Sequence, residues 1–439
     1  MHATGRAALC FGHDGMSGAA PRESPSAEEV RAEARAWFAA TWDPERPLAE
    51  WRDLLVDSGW ACPGWPTDRY GRNLPPDLAR AATEELRAAG AVGPAVGVGM
   101  SLAAPTLLEH GAPDLQRVLL RGIATGRDTW CQLFSEPSNG SDLAGLTTHA
   151  RRDGDEWIVT GQKVWTTGAH HAAYGMLLAR TDPDVPKHRG ISFFAFPMRQ
   201  SGVVVRPLRQ MNGRTSFNEV FLDEARVPHE NVIGELHGGW AVARTTLSHE
   251  RGLAAGLFGS LPPTGGGRTR EEAASEAAAY LKTYEWYPQR AGRPDLVAPL
   301  AQRLDRDGEP VVRQEIADLH ARQRAAQLTA QRASAARKAG RPGPEGSLGK
   351  LHASAIARAA AAAHTRVASV HAMLDGPGSL EHGIVAEVLV SVPGQSIAGG
   401  TDEIQHDIIG ERVLGLPKEP SVDADIPFRE VRSNHRPRP

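Results

Sequence analysis

Two stretches of this sequence carry residues suited to holding a planar redox ring. The first runs Trp130-Cys131-Gln132-Leu133-Phe134-Ser135-Glu136-Pro137-Ser138-Asn139-Gly140-Ser141-Asp142, and the second Asp155-Glu156-Trp157-Ile158-Val159-Thr160-Gly161-Gln162-Lys163-Val164-Trp165-Thr166-Thr167. Each places a small hydroxyl residue, Ser135 or Thr167, beside aromatic and apolar neighbours and next to glycine turns. Aromatic surface can cover the face of such a ring while hydroxyls reach its polar edge. A third feature is a carboxylate inside an apolar stripe. Trp240, Ala243, Leu247, Ala254 and Leu257 recur at helical spacing, and Glu250 falls on the same face, three residues after Leu247 and four before Ala254. A buried carboxylate is costly unless it is paired or functional, so Glu250 is read as a candidate general base and His249, one step off the stripe, as a flank residue. The alternative is a buried glutamate paired to an arginine from another helix.

The two ring-holding stretches resemble the acyl-CoA dehydrogenase family, flavoproteins that desaturate acyl thioesters between the α and β carbons. That chemistry needs a base for the α-proton, hydrogen bonds to the thioester oxygen as enolate character develops, and flavin N5 facing the β-carbon to take hydride. Many members carry the base in a Glu-Gly-Thr sequence near the C-terminus. Here the matching stretch is Ile397-Ala398-Gly399-Gly400-Thr401-Asp402-Glu403, with Gly399 in the glutamate's place. Another branch places the base in a Glu-Arg pair on the first long helix after the β-domain, which matches Glu250-Arg251. The resemblance therefore implies Glu250 as base, Arg251 at the substrate, and the Gly399 backbone N–H as a donor to the thioester oxygen. It also implies that Ser135 and Thr167 bond to the FAD ring, that Trp165 packs on it, and that Leu133 and Phe134 give neighbouring backbone contacts. By the same likeness Ser141 contacts the pantetheine arm, and Thr401 and Glu403 lie toward the pyrophosphate and adenosine end of FAD.

The chain departs from the family elsewhere. An Arg-x-x-Phe-Gly-x-Pro stretch common in the family is reduced to Arg290-Ala291-Gly292-Arg293-Pro294, and Ser138-Asn139 replaces a commoner Gly-Ala pair. Asp375-Gly376-Pro377-Gly378 retains a Gly-x-Gly but lacks an upstream glutamine. Two rival functions remain open on the same fold: an oxygen-using flavin oxidase or monooxygenase, and a non-catalytic subunit of a hetero-oligomeric dehydrogenase.

The elements that must position these residues fall into an α+β order: an N-terminal helical domain (25–128), a β-barrel or sandwich domain (129–235) and a C-terminal helical bundle (236–418). Ser26-Ala27-Glu28-Glu29 before Val30, Ala34, Trp37 and Phe38 is a capping box opening an amphipathic helix. Helical patterns follow over 51–59, 76–90 and 113–122, each stopped at or near glycine. From Thr129 the pattern predicts short strands over 157–160, 174–180, 191–197, 203–208 and 218–222. Val227 to Glu235 closes this domain. Long helices are expected over 311–341 and 352–374, the latter dense in alanine that permits close helix packing. Residues 1–24 are expected as a disordered leader, and Leu261–Arg270 and the polar tail 419–439 as mobile.

A 439-residue chain can bury several cores. Its formal net charge of −3 gives no electrostatic bias toward nucleic acid or anionic membranes. Arg332 to Arg341, interleaved with alanine, is read as a solvated helix face. Three widely spaced cysteines imply neither a disulfide framework nor a zinc site and fit a reducing cytosol; Cys131 is read as a small core thiol. The family resemblance implies a cytoplasmic homodimer or homotetramer, reoxidised by an electron-transferring flavoprotein, acting on a thioester of coenzyme A or a carrier protein.

Overall fold

The computed structural model describes residues 25–256, 264–340 and 343–432; the leader expected over 1–24 lies outside the described residues. The first domain packs α1 (Ala27–Thr41), α2 (Leu48–Asp57), α3 (Pro76–Ala88), α4 (Ala104–His110) and α5 (Pro113–Thr125). The capping box forms as the sequence predicts. Ser26 Oγ accepts the Glu29 N–H at 3.3 Å, and the Glu29 carboxylate accepts the Ser26 N–H at 2.8 Å. Val30, Ala34 and Phe38 then fall on one buried face and meet Trp51, Leu55 and Leu86 in a common core. Helices α3 and α5 begin on prolines, where the missing N–H costs no helical bond, and α5 ends at Gly126 with φ +82°.

One curled sheet follows: β1 (Trp130–Leu133), β2 (His149–Asp153), β3 (Glu156–Lys163), β4 (Tyr174–Arg180), β5 (Ile191–Pro197), β6 (Val203–Leu208) and β7 (Phe217–Pro228). The order is β1-β4-β2-β3-β7-β6, with β5 on the other edge of β4. β1 runs parallel to β4, and β4–β5, β2–β3, β3–β7 and β6–β7 are antiparallel. Strand β5 shows why its sequence is apolar without alternation. Ile191, Phe193 and Ala195 face a core shared with α4 and α5, while Phe194 and Phe196 face the core inside the curl. Fully burying one such phenylalanine contributes roughly 1.5–3 kcal/mol.

The third domain contains α6 (Gly239–Gly256), α7 (Arg268–Lys282), α8 (Tyr287–Arg290), α9 (Pro294–Arg303), α10 (Pro310–Lys338), α11 (Glu345–Ala368), α12 (Ile384–Ser391), α13 (Pro393–Ile397) and α14 (Asp402–Arg412). Alanines 357, 360 and 363 of α11 are buried, which lets neighbouring backbones close in. Gly292 lies so near α11 that a Cβ there would stand 2.8 Å from the Ala357 backbone.

Two segments expected to be mobile make defined contacts among the described residues. Thr269 and Arg270 lie in helix α7, and the buried Thr269 hydroxyl bonds to the carbonyls of Asp43 and Arg46 in the first domain; residues 261–263 lie outside the described ones. The tail is docked as well. Phe428 is buried, its N–H bonds to the Val185 carbonyl at 2.9 Å, and the Arg429 N–H bonds to that of Pro183 at 3.0 Å. A single aromatic residue in a polar tail, with main-chain hydrogen bonds to spend, anchors what its composition suggested was loose. Residues 433–439 lie outside the described ones.

Candidate functional site

At the exit of β1 the chain passes Ser135, and at the exit of β3 it passes Trp165 and Thr167. A buried ion pair fastens the two exits together. Lys163 Nζ donates to Glu136 Oε1 and to the Phe134 carbonyl, both at 3.0 Å, and the Val164 N–H donates to the Ser135 carbonyl at 2.9 Å. The Glu136 carboxylate also accepts the N–H groups of Thr147 and Thr148 at 2.7 and 2.9 Å. Burial by itself would raise the Glu136 carboxyl, but Lys163 and these bonds outweigh it and hold it down to about 2. For Lys163 burial prevails over the attraction of Glu136, and its ammonium titrates below the usual lysine range. Breaking such a pair by removing one partner strands the other charge in the core. Neither residue was singled out from sequence, although Glu136 and Lys163 both stand inside the two quoted motifs.

The turn after β3 is shaped around Trp165, which has φ +61° and leaves its indole 55% exposed. A bulky residue in the left-handed region is held there by its surroundings. Buried Asn218 of β7 exchanges both backbone bonds with Thr166 at 3.1 Å, and its Nδ2 donates to the Thr166 carbonyl at 2.9 Å. Trp165 stands edge-on to Phe217, which in turn meets Trp286. Beside it the Thr166 hydroxyl is buried with no hydrogen-bond partner among the described residues. Leu133 and Phe134 are both buried, and Ser135 and Thr167 are half-buried. Cys131 is fully buried and burial pushes its thiol up, as expected of a core residue.

Helix α6 turns Val242, Ala243 and Thr246 inward, against β5 and α4. Glu250 is one turn beyond Thr246 on that line and is half-buried. Gln132 Nε2 of β1 donates to Glu250 Oε2 at 3.2 Å. Tyr284 and Tyr287 lie close enough that the charge of Glu250 adds to the burial that raises both phenols. Gln132 and the two tyrosines escaped the sequence reading. The signal available for Gln132 was a lone polar residue in the otherwise apolar run Trp130-Cys131-Gln132-Leu133-Phe134. The side chain of Arg251, and Leu257 with it, lie outside the described residues.

Gly399 and Gly400 have φ of +69° and +86°, and among the described residues nothing lies within 4 Å of a Cβ built on Gly399. Thr401 caps α14, its hydroxyl accepting the Ile404 N–H at 3.3 Å. Glu403 is exposed on the first turn. Buried Asp402 binds Lys350 and Arg358 at 3.3 and 2.7 Å; desolvation opposes ionisation, but these partners hold its carboxyl down to about 2. Helix α14 packs on α11, whereas α6 packs on β5, α4 and residues 99–103. Thus Glu250 meets the β1 side of the site, and Gly399 is set on an element with different packing partners. Ser141 is exposed on the loop after β1.

A helical domain, a curled sheet with an aromatic, hydroxyl-bearing turn, and a second helical domain are the three-part architecture of the acyl-CoA dehydrogenase fold. Family models agree segment by segment: acyl-CoA dehydrogenase N-terminal domain over 24–127, middle domain over 131–225 and C-terminal domain over 295–414. Among curated relatives, acyl-CoA dehydrogenase IpdE1 of Mycobacterium tuberculosis is 32% identical over 89% of this chain and 98% of its own length. Acyl-CoA dehydrogenase FadE34 of the same organism is 38% identical over 83% of this chain, which spans only 46% of FadE34. The solved ChsE4–ChsE5 complex from Mycobacterium tuberculosis is 29% identical, with a TM-score of 0.60 over 91% of this chain and 100% of the compared one. The chain belongs to the acyl-CoA dehydrogenase family of FAD-dependent oxidoreductases. The residues present fit that cofactor: a half-exposed indole offers a stacking face, and an unpartnered buried hydroxyl adjoins it. Among the described residues no helix is long and apolar enough to cross a membrane.

Proposed function

We propose that the protein desaturates an acyl thioester between its α and β carbons, with Glu250 removing the α-proton. One observation carries the reading. The Glu250 carboxylate is held by Gln132, and the same strand leads within three residues to Ser135 at the ring site. A base and a ring-binding hydroxyl therefore share one short, rigid support. FAD, when bound, supplies the acceptor for the β-hydrogen and its electron pair. The Ser135 and Thr167 hydroxyls and the Leu133–Phe134 backbone would hold its ring, Trp165 would pack on it, and Thr401 and Glu403 would lie toward its adenosine end. Gln132 aims the carboxylate, while Tyr284 and Tyr287 exclude water from around it. The Gly399 N–H donates to the thioester oxygen, Ser141 contacts the pantetheine arm, and Arg251 lies by the substrate. We further infer a cytoplasmic setting and electron delivery to an electron-transferring flavoprotein.

Anaerobic mixing with a panel of acyl thioesters tests this. Bleaching of the bound flavin by at least one of them is the expected result, and a fully loaded protein that none of them reduces overturns it. Rapid reaction of the reduced flavin with oxygen would instead identify an oxidase or monooxygenase. A second reading has its own support: this chain as one subunit of a hetero-oligomer. Three polar atoms around α8, Trp286 Nε1, Gln289 Oε1 and Arg290 Nε, are buried without partners among the described residues, and Gly399 supplies no base. Purification in isolation with stoichiometric FAD and full activity excludes a purely supporting role.

A further inference from the structure

The docked C-terminal segment meets the β-domain at a junction of three pieces of chain. One is the 142–146 stretch that directly follows Ser141. The second is the 181–190 connection between β4 and β5, and the third is the segment 423–429. Lys187 Nζ stands between two of the carboxylates, 3.0 Å from Asp142 Oδ1 and 2.8 Å from Asp423 Oδ2. Arg180, itself buried, runs beneath the same junction. Its Nη2 donates to the Ala144 carbonyl at 2.6 Å, its Nη1 to the Lys187 carbonyl at 3.0 Å, and its Cζ lies 3.5 Å from the centre of the Phe428 ring. Arg429 adds an ion pair to Asp184 at 3.0 Å. The next residue of the connection, His188, stacks edge-on against Trp240 at the start of α6, the helix that carries Glu250.

We propose that residues 423–429 are a strap that positions the Ser141 loop for the thioester arm, with Lys187 as the positioning residue that transmits the hold. The inference rests on the assignment of Ser141 proposed above. Ser141 and Asp142 are exposed, as are Pro137, Ser138 and Gly140 before them, and burial resumes only at Leu143, so the outer part of the loop takes its hold from outside. Charge-assisted bonds from one ammonium to Asp142 and Asp423 give that hold a direction, and the buried Phe428 fixes the far end. Pre-ordering a binding loop improves affinity for the ligand without adding a contact to it. The strap therefore acts on substrate binding and leaves the chemical step alone.

The test compares the unaltered protein with Lys187→Met, Lys187→Arg, and a chain ended after Lys418. Two quantities are measured: kcat and KM for the best acyl thioester of the panel, and amide hydrogen exchange over 138–146. Lys187→Met is expected to raise KM about tenfold with kcat within about twofold, and to speed exchange over 138–146 about tenfold. Lys187→Arg should recover most of both, and the shortened chain should exceed Lys187→Met in both. Faster exchange with unchanged KM would make the strap merely structural and overturn the proposal. A raised KM with unchanged exchange would make Lys187 a direct substrate contact and overturn it too, as would no change in either. If no thioester reduces the flavin of the unaltered protein, the functional reading fails, while the exchange data still report whether the strap holds the loop.

Discussion

The two halves of the site are built differently. On the sheet side, Ser135 and Trp165 hang from strand exits fastened by the buried Glu136–Lys163 pair and by Asn218, so their geometry follows from contacts within one domain. On the helical side, Gly399 sits on a glycine turn with open space around it, and Glu250 accepts a bond from Gln132 that crosses from the sheet to α6. The difference teaches where a family's chemistry can move. Residues fixed at strand exits cannot be relocated without rebuilding the sheet, whereas a turn with open space around it can gain or lose a side chain with little repacking.

The largest expected effect breaks the helical side. Glu250→Gln should retain FAD and thioester binding but slow flavin reduction ~10²–10⁴-fold, the usual contribution of a general base. Stopped-flow reduction decides it. A near-normal rate would move the base elsewhere, and Asp402 would be a poor heir because Lys350 and Arg358 occupy both its carboxylate oxygens and make it a weak base.

The sheet side should fail differently, through stability. Lys163→Met leaves Glu136 buried without its cation and is expected to cost about 3–5 kcal/mol in denaturant unfolding. The effect depends on pH with a definite sign. Glu136 titrates at about 2 when folded against an ordinary 4.5, so its contribution is complete above 4.5 and is lost as pH falls toward 2. The gap between variant and unaltered protein should therefore narrow over that window. A gap that stays constant with pH would mean the pair does not carry the difference.

A milder change separates ring binding from folding. Trp165→Ala removes a half-exposed indole, so stability should move by less than ~1 kcal/mol, while FAD binding should weaken by up to about tenfold, the scale of one aromatic stack. Apo-protein titration with FAD measures it, and unchanged affinity would take Trp165 out of the ring site.

The same contrast governs how much of the molecule was legible in its sequence. Strands 174–180, 191–197 and 203–208 appear with the expected bounds, because turn residues punctuate short runs that are mostly apolar, rich in aromatic or β-branched residues in the last two. Strand β2, His-Ala-Arg-Arg-Asp, was not anticipated. Only Ala150 of it is buried, so no alternation was there to see. Ser135, Trp165 and Thr167 stand in two contiguous motifs that could be read one by one, although the Lys163–Glu136 pair that fastens the motifs together was not read. Gln132 and Glu250 are 118 residues apart and meet only through tertiary packing, as do Lys187 and Asp423, 236 apart. Contacts of that kind leave no trace in spacing.

The smallest expected effect asks whether the two halves converge on one α-carbon. Gly399→Glu fits sterically, since nothing described lies within 4 Å of its Cβ, although φ +69° imposes a backbone cost of about 1 kcal/mol on any side chain. In the single variant a second carboxylate would share the site with Glu250. Like charges in a small site cannot both ionise easily, so activity should fall. In the double variant with Glu250→Gln that conflict is gone, and the new glutamate approaches from the turn, as it does in family members with a Glu-Gly-Thr sequence. Flavin reduction should then recover several-fold over Glu250→Gln alone, with thioester binding checked in both. Intact binding with no recovered rate would show that the turn and the helix do not address the same carbon. The shared-site placement of Gly399 and Glu250 would then be wrong, while the sheet-side assignments would stand.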